Sequence, residues 1–322
     1  MAGPLWRPSP ERIAAARLSH FMAEAGRRHG VVLKDYDAIY DWSVSKLAPF
    51  WELVWDFCGV QGDRRGPTLV DPQKMPGARF FPEAQVNFAE NLLSRRGSDD
   101  AIVFRAEDKV ARRVSWDELH ALVSRLAQAM AAEGVGPGDR VAAFMPNMPE
   151  AVAAMLATTA LGAVWSSCSP DFGVTGVLDR FGQIEPKVLF APDGYFYAGK
   201  TIDVAERVAE FMQGLPTVKR LVTVPLIGRG QPPRGVAGGT SLADFIAPFE
   251  AGPVAFRRQA FNAPAFILYS SGTTGKPKCI VHGAGGTLIQ HLKEHQLQCD
   301  VKAGDRVAAF MPNMPEAVAA ML

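Results

Sequence analysis

Cysteine is scarce in this 322-residue chain, and the four present (Cys58, Cys168, Cys279 and Cys299) never stand in a Cys-x-x-Cys spacing. That argues against a zinc ribbon and against a disulfide framework. Cys279 and His282 lie three apart, but no second ligand pair accompanies them, so no metal site is expected. An excess of charge of either sign is missing too, with a formal net charge of +1. The arginine pairs Arg27-Arg28, Arg64-Arg65, Arg95-Arg96, Arg112-Arg113 and Arg257-Arg258 are scattered among acids. They read as solvated faces, not as a nucleic-acid surface. No window holds 18 uninterrupted apolar residues: the longest such stretch, 141–165, is broken by Pro146, Asn147, Pro149 and Glu150. The N-terminus lacks the apolar core of a signal peptide. The expectation is a soluble, cytoplasmic protein with no membrane insertion.

What is present is ordinary globular composition, 48% hydrophobic and 21% charged, in a chain long enough for one large domain or two smaller ones. Trp42, Phe50, Trp51, Trp55 and Phe57 suggest helices in the first 80 or so residues. From about Val103 a helix–strand alternation is expected. Ser115-Trp116-Asp117-Glu118 fits a capping box, Leu119, Leu122, Val123, Leu126 and Met130 follow at helical spacing, and Gly134 is placed to end the helix. Gly136 to Asp139 turns the chain into a short strand, Val141 to Phe144, and Asn147 with Pro149 starts a helix to about Leu161. Further strands are expected at 163–166, 187–191, 219–224 and 265–269, with a helix near 202–213. Strands alternating with helices imply parallel pairing and an α/β architecture. The stretch 225–240, rich in Gly and Pro, reads as a surface loop.

Residues 304–322 repeat residues 138–156 letter for letter. Repeat architectures show several diverged copies at short period. A single undiverged copy points to recent recombination, a misassembled gene or an artificial join. The tail is expected to be foreign to its position, with an apolar stripe that evolved for a slot already filled.

Residues 265–278 hold the chemistry. An apolar strand, Ala265 to Leu268, delivers Ser270, Ser271, Gly272, Thr273, Thr274, Gly275, Lys276 and Lys278. Glycines let backbone amides converge on one point, hydroxyls add short donors without bulk, and lysines supply charge. A polyphosphate needs that combination. A flexible turn is the bland alternative. The loop is not a Walker A motif, because only two residues separate Gly272 from Gly275 and Pro277 follows Lys276. The Gly283–Leu288 run fails as a dinucleotide fingerprint at Leu288, and no G-x-S-x-G elbow is present. His282 could contact a substrate or be a hydrogen-bonded structural histidine.

At Ser270–Lys278 the sequence resembles the phosphate loop of the adenylate-forming superfamily of acyl-CoA synthetases, luciferases and peptide-synthetase adenylation domains. The resemblance extends over most of residues 35–303. Val114 to Leu119 is similar to the family's early helix start. Trp42-Ser43 with Phe50-Trp51, and Asn87 to Leu93, resemble the branch that holds acetate and acetoacetate ligases. Within that branch Trp165-Ser166-Ser167-Cys168-Ser169-Pro170-Asp171-Phe172-Gly173 resembles the acetoacetate members, where acetate members carry a His-Ser-Val-Val-Phe-Gly-Gly-Phe pattern. Ile280 to Gly283 and His291 to His295 point the same way.

The resemblance implies an incomplete N-terminal adenylating domain of the luciferase-like fold with the C-terminal domain absent. It implies an N-terminal helical region 1–85 and a partial AMP-binding domain 86–303, with the copied tail 304–322 set apart by its repetition of 138–156. Its small-molecule partners would be acetoacetate, ATP and coenzyme A, with Mg2+ bridging phosphates. It implies that Gly272 to Lys278 hold the β- and γ-phosphates. Lys200, at the end of Tyr195-Phe196-Tyr197-Ala198-Gly199-Lys200, falls where the branch places basic residues near the CoA pyrophosphate; a solvated lysine is the alternative. The family's adenine and ribose motifs, magnesium-binding Glu, hinge and acyl-transfer Lys lie beyond the matched region. The chain alone is therefore expected to be inactive. An acetate or propionate ligase of the same branch, and a non-catalytic nucleotide-binding remnant, are the alternatives.

Overall fold

The computed structural model describes residues 5–270 and 275–307. The chain divides into two compact units. Among the described residues, 5–85, 260–262 and 285–307 form the first, and 86–259, 263–270 and 275–284 form the second.

In the first unit four helices follow one another: α1 (Pro10–Ala15), α2 (Arg17–His29), α3 (Tyr36–Ser45) and α4 (Leu47–Phe57). Side chains set their starts. Ser9 Oγ accepts from the Arg12 amide and Asp35 Oδ1 from the Ala38 amide, each satisfying a donor that the helix itself leaves open. Trp42 lies in α3, and Phe50, Trp51, Trp55 and Phe57 in α4. Phe21, fully buried, meets Phe50 and Phe57 edge-on at 5.8 and 5.3 Å between ring centres.

The second unit is built on a mixed sheet. A hairpin, β1 (Asp100–Ala106) and β2 (Val110–Ser115), lies between α5 (Phe88–Leu92) and α6 (Trp116–Ala132). Then come β3 (Arg140–Phe144), α7 (Pro149–Ala160), β4 (Val164–Cys168), α8 (Val174–Ile184) and β5 (Val188–Pro192). A short hairpin of β6 (Gly194–Tyr197) and β7 (Lys200–Asp203) leads to α9 (Ala205–Gln213) and β8 (Arg220–Val224). β9 (Gly239–Ser241), α10 (Leu242–Ile246), β10 (Pro264–Tyr269) and β11 (Cys279–Gly283) complete it. The strand order is β9-β8-β5-β3-β4-β10-β11.

Helices cover this sheet on both sides, so its middle strands read as unbroken apolar runs instead of alternating ones. Val141, Ala142, Ala143 and Phe144 have no exposed surface, and every residue of β5 is buried. All neighbouring strands from β9 to β10 run parallel. α6 packs on α7 and α10, and α8 on α9. β3 hands the chain to β4 in one direction and β4 hands it back across the sheet to β5. Right-handed crossovers therefore put α7 and α8 on opposite faces.

Three expectations need correction. The alternation does not begin at Val103: Asp100–Ser115 is an antiparallel hairpin, whose eight polar or charged positions offered no clean period. β11 runs antiparallel to β10, since a short loop cannot carry a chain back for a parallel partner. Residues 225–240 are not wholly a surface loop. Leu226 is buried, and the stretch ends in β9. The physical cause is Asp193, whose buried carboxylate accepts four backbone amides, those of Leu226, Ile227, Arg229 and Gly230, at 2.7–2.9 Å.

The first copy of the repeated segment supplies β3 and most of α7, at the centre of the sheet. In the second copy Gly304 to Val307 are described, and residues 308–322 lie outside the described residues.

Candidate functional site

In an open α/β sheet the place for a ligand is the crevice outside the carboxyl ends of the strands, where neighbouring connections leave toward opposite faces. Here that is the end of β3, β4 and β5, with β10 alongside. Three chain segments meet this description.

The loop after β4 is Ser169 to Gly173. Ser169 Oγ donates to the Asp171 carboxylate (2.9 Å) and accepts from the Asp171 amide (3.3 Å), which closes a tight turn. Arg207 of α9 donates through Nη1 to the Pro170 carbonyl at 2.7 Å. Tyr195, in the hairpin after β5, is buried near Asp171 and Arg207. Burial pushes its phenol up, Asp171 adds to this, and Arg207 opposes it.

The strand β10 ends at Tyr269, whose ring is largely enclosed. Burial pushes its phenol well above the usual tyrosine range. Ser166 Oγ, buried in β4, is within hydrogen-bond distance of the Ile267 carbonyl oxygen (2.7 Å) and the Tyr269 hydroxyl (2.9 Å). It thus joins the two strands whose ends frame the crevice.

The phosphate-loop candidate follows. The Ser270 amide donates to the Lys278 carbonyl (3.1 Å), and the Lys278 amide donates to Ser270 Oγ (3.3 Å). These two bonds close the neck of the loop. Ser271, Gly272, Thr273 and Thr274 lie outside the described residues. Gly275 has φ +139°, a region that side-chain-bearing residues avoid. Lys276 is exposed, with Nζ 3.8 Å from Asp179, and Lys278 is exposed. Gln183 Nε2 donates to the Pro277 carbonyl at 2.8 Å. The returning arm of the loop therefore runs along α8, on residues that the loop's own sequence does not announce.

The other two candidates lie apart from this neck. His282 is half-buried on β11, opposite Phe266 in the ladder, and Cys279 is opposite Tyr269 with its thiol pushed up by burial. Lys200 is exposed at the start of β7, opposite Tyr197.

Sequence reasoning missed Asp179, Arg180 and Gln183 altogether, because α8 was not anticipated. The signal was present: Val174, Val177, Leu178, Phe181 and Ile184 recur at helical spacing, and Val177, Phe181 and Ile184 are buried. Among the described residues no group of three or more His, Cys, Asp or Glu could hold a metal ion, and no helix is long and apolar enough to cross a membrane.

Comparison with known proteins sharpens this picture. Residues 89–300 match the family model described as AMP-binding enzyme. An acetoacetyl-coenzyme A synthetase of Rhizobium meliloti (strain 1021) is 55% identical over 310 residues, 95% of this chain and 47% of that protein. A malonamoyl-CoA synthetase of Penicillium aethiopicum is 37% identical over 317 residues, 94% of this chain and 44% of that one. Among solved structures, acetoacetyl-CoA synthetase from Streptomyces lividans is similar with a TM-score of 0.88 and 43% identity, covering 95% of this chain and 47% of that chain. The chain spans about half the length of the relatives it matches. With the family model covering most of the sheet and its carboxyl-end loops, the chain belongs to the AMP-binding enzyme family.

Proposed function

We propose that this chain is the nucleotide-handling front part of an acid–CoA ligase whose acid is acetoacetate. The observation that carries the reading is the arrangement at the carboxyl ends of β4 and β10. There Ser270 and Lys278 close the neck of a segment whose sequence carries hydroxyls, glycines and lysines, and Arg180 lies between Phe172 of the Ser169–Gly173 loop and Tyr269, one position before that neck. The relatives support it by name: two are acetoacetyl-CoA synthetases and one is a malonamoyl-CoA synthetase.

In this reading the acid's carboxylate oxygen attacks the α-phosphorus of ATP. The bond to the bridging oxygen breaks, leaving acyl-adenylate and pyrophosphate. The thiol of coenzyme A then attacks the acyl carbon and AMP departs. Gly272 to Lys278 face the β- and γ-phosphates, and Lys276 and Lys278 offset charge on the departing pyrophosphate. Lys200 is assigned to the coenzyme A pyrophosphate and His282 to the vicinity of the acid. The magnesium ion that accompanies ATP finds no donor cluster among the described residues, so no step is assigned to it. The cytoplasm, where ATP and coenzyme A are available, is the assigned compartment, and four free thiols fit it.

Acid-dependent exchange between ATP and labelled pyrophosphate tests the reading in the full-length protein it implies. Acetoacetate is expected to support exchange far better than acetate or propionate. Preference for acetate would overturn the acid and leave the reaction class standing; no exchange with any acid would overturn both and favour a nucleotide-binding remnant.

A further inference from the structure

Arg180, in the middle of α8, has no carboxylate partner among the described residues. Its guanidinium instead lies 4.1 Å from the ring centre of Phe172 and 5.7 Å from that of Tyr269, while Nη1 donates to the Gly176 carbonyl at 2.8 Å. A guanidinium is planar and weakly hydrated, so it can rest on aromatic faces at little desolvation cost. The two rings belong to different structural elements. Phe172 is in the loop after β4, and Tyr269 is the last residue of β10, one position before the neck of the phosphate-loop candidate. The residues flanking Arg180 on the helix reach the same loop: Asp179 lies near Lys276, and Gln183 bonds the Pro277 carbonyl.

We propose that Arg180 is a positioning residue: it clamps Phe172 to Tyr269, so that the point where β10 hands over to the phosphate loop and the loop after β4 move as one piece. The inference rests on the adenylation reading above, since it gives the clamp its purpose. Three features single out Arg180 for this role. Its charge is not engaged by an acid, so it is not half of a surface ion pair. Tyr269 is already held at its hydroxyl by Ser166, so the guanidinium near its ring adds a second hold from α8. Arg207 meanwhile holds the carbonyls of Pro170 and Phe172, which fixes the other jaw. A residue in this position touches no reacting atom. It decides whether the neck closed by Ser270 and Lys278 is already in place when a polyphosphate arrives, and pre-organisation of that kind shows up as affinity.

The test uses the 322-residue chain in a Cys299→Ser background, in which Cys279 is the one cysteine not buried. Cys279 faces Tyr269 across the ladder, so its rate of reaction with an aromatic disulfide reagent reports how firmly that strand end is held. Arg180→Gln, Arg180→Lys and Phe172→Leu are compared with the parent in melting temperature, thiol reaction rate, and affinity for ATP and for inorganic pyrophosphate by calorimetry. Arg180→Gln is expected to melt within a few degrees of the parent, to react several-fold faster at Cys279, and to bind both anions about tenfold more weakly. Arg180→Lys, which keeps a cation near the rings, is expected to recover part of both effects, and Phe172→Leu to share them. Parental thiol rates and affinities in Arg180→Gln and Phe172→Leu would overturn the clamp. If Arg180→Gln does not fold, Phe172→Leu and Arg180→Lys decide alone. If the parent chain binds neither ATP nor pyrophosphate, the thiol rates decide alone: parental rates in Arg180→Gln and Phe172→Leu overturn the clamp, whereas the adenylation reading stands or falls on exchange in the full-length protein.

Discussion

Glu150, in the first turn of α7, meets Arg112 of β2 in a two-point ion pair, with N–O distances of 2.6 and 2.8 Å. The carboxylate is the more enclosed partner, its side chain 10% exposed against 37% for the guanidinium. Arg112 also lies over the ring of Phe104. The pair fastens the hairpin to the helix that follows the central strand. Removing Arg112 leaves Glu150 charged and poorly hydrated. Arg112→Ala is expected to cost about 2 kcal/mol in urea unfolding, the figure discounted for the solvent that reaches the arginine. The double variant Arg112→Ala, Glu150→Gln should recover part of the loss; additive losses would show that the pair is not coupled.

Asp193 is the second stability prediction. Its two carboxylate oxygens hold the four amides of Leu226, Ile227, Arg229 and Gly230. Asp193→Ala orphans donors at a site where only 5% of the residue is exposed. The expected loss is about 3 kcal/mol, with proteolysis appearing between residues 225 and 240. Asp193→Asn keeps one oxygen and should lose less. Equal stability of all three proteins would contradict the assigned role.

The legible parts of this fold are those in which the code is local. Ser115 Oγ accepts from the Glu118 amide (3.2 Å) and the Ser115 amide donates to Glu118 Oε2 (2.7 Å), as the four-residue spacing announces. Val188–Pro192 and Arg220–Val224 are short, largely apolar runs, and they became buried parallel strands. The neck of the candidate site was half legible. Ser270 and Lys278 were both in the motif, but their mutual bonding depends on an antiparallel return that the motif does not state. Asp193 was invisible because its partners lie 33 to 37 residues away and donate through backbone, which leaves no side-chain trace. Arg180 was invisible for a related reason: cation–ring contacts have no sequence period.

Acid should weaken the protein through His120. Its ring is buried in α6, with Nε2 at 2.8 Å from the Arg95 carbonyl oxygen. Burial holds its pKa below the usual imidazole value; the Arg95 carbonyl opposes this, the Arg96 charge adds to it, and Asp117 opposes it. The native state therefore excludes a proton that the unfolded chain binds below its ordinary value of about 6.5. Its contribution is present above that value and is lost as pH falls through it toward the lower native one. Denaturant midpoints measured between pH 7.5 and 5 should fall for the parent and fall less for His120→Gln. A parent curve that rises on acidification would contradict this.

Two predictions concern activity. In the full-length protein, Lys278→Ala and Thr274→Val should each slow acetoacetate-dependent pyrophosphate exchange by one to two orders of magnitude, about the effect of losing one donor aimed at developing charge. Unchanged exchange in both would remove this loop from the reaction.

The 322-residue chain by itself should form no AMP when coenzyme A and acetoacetate are supplied with ATP. Its relatives are about twice as long, and positioning lost over half a protein is lost rate. Robust turnover by the chain alone would show that the front half carries the whole catalytic machinery.

Ser166 and Ile267 bond across 101 residues of chain. That separation sets an order of events during synthesis. β3, β4 and β5 can pair as soon as they leave the ribosome, since each lies within a few tens of residues of its neighbour. β10 cannot take its place beside β4 until another hundred residues, including β8 and β9, have emerged and folded back. Until then β4 presents an open edge, and neither side of the crevice has its counterpart. Long-range pairing of this kind is slow and exposes sheet edges to other chains. Ribosome-bound chains stopped before residue 264 would be the aggregation-prone species, and the neck between Ser270 and Lys278 would be among the last parts of the candidate site to form.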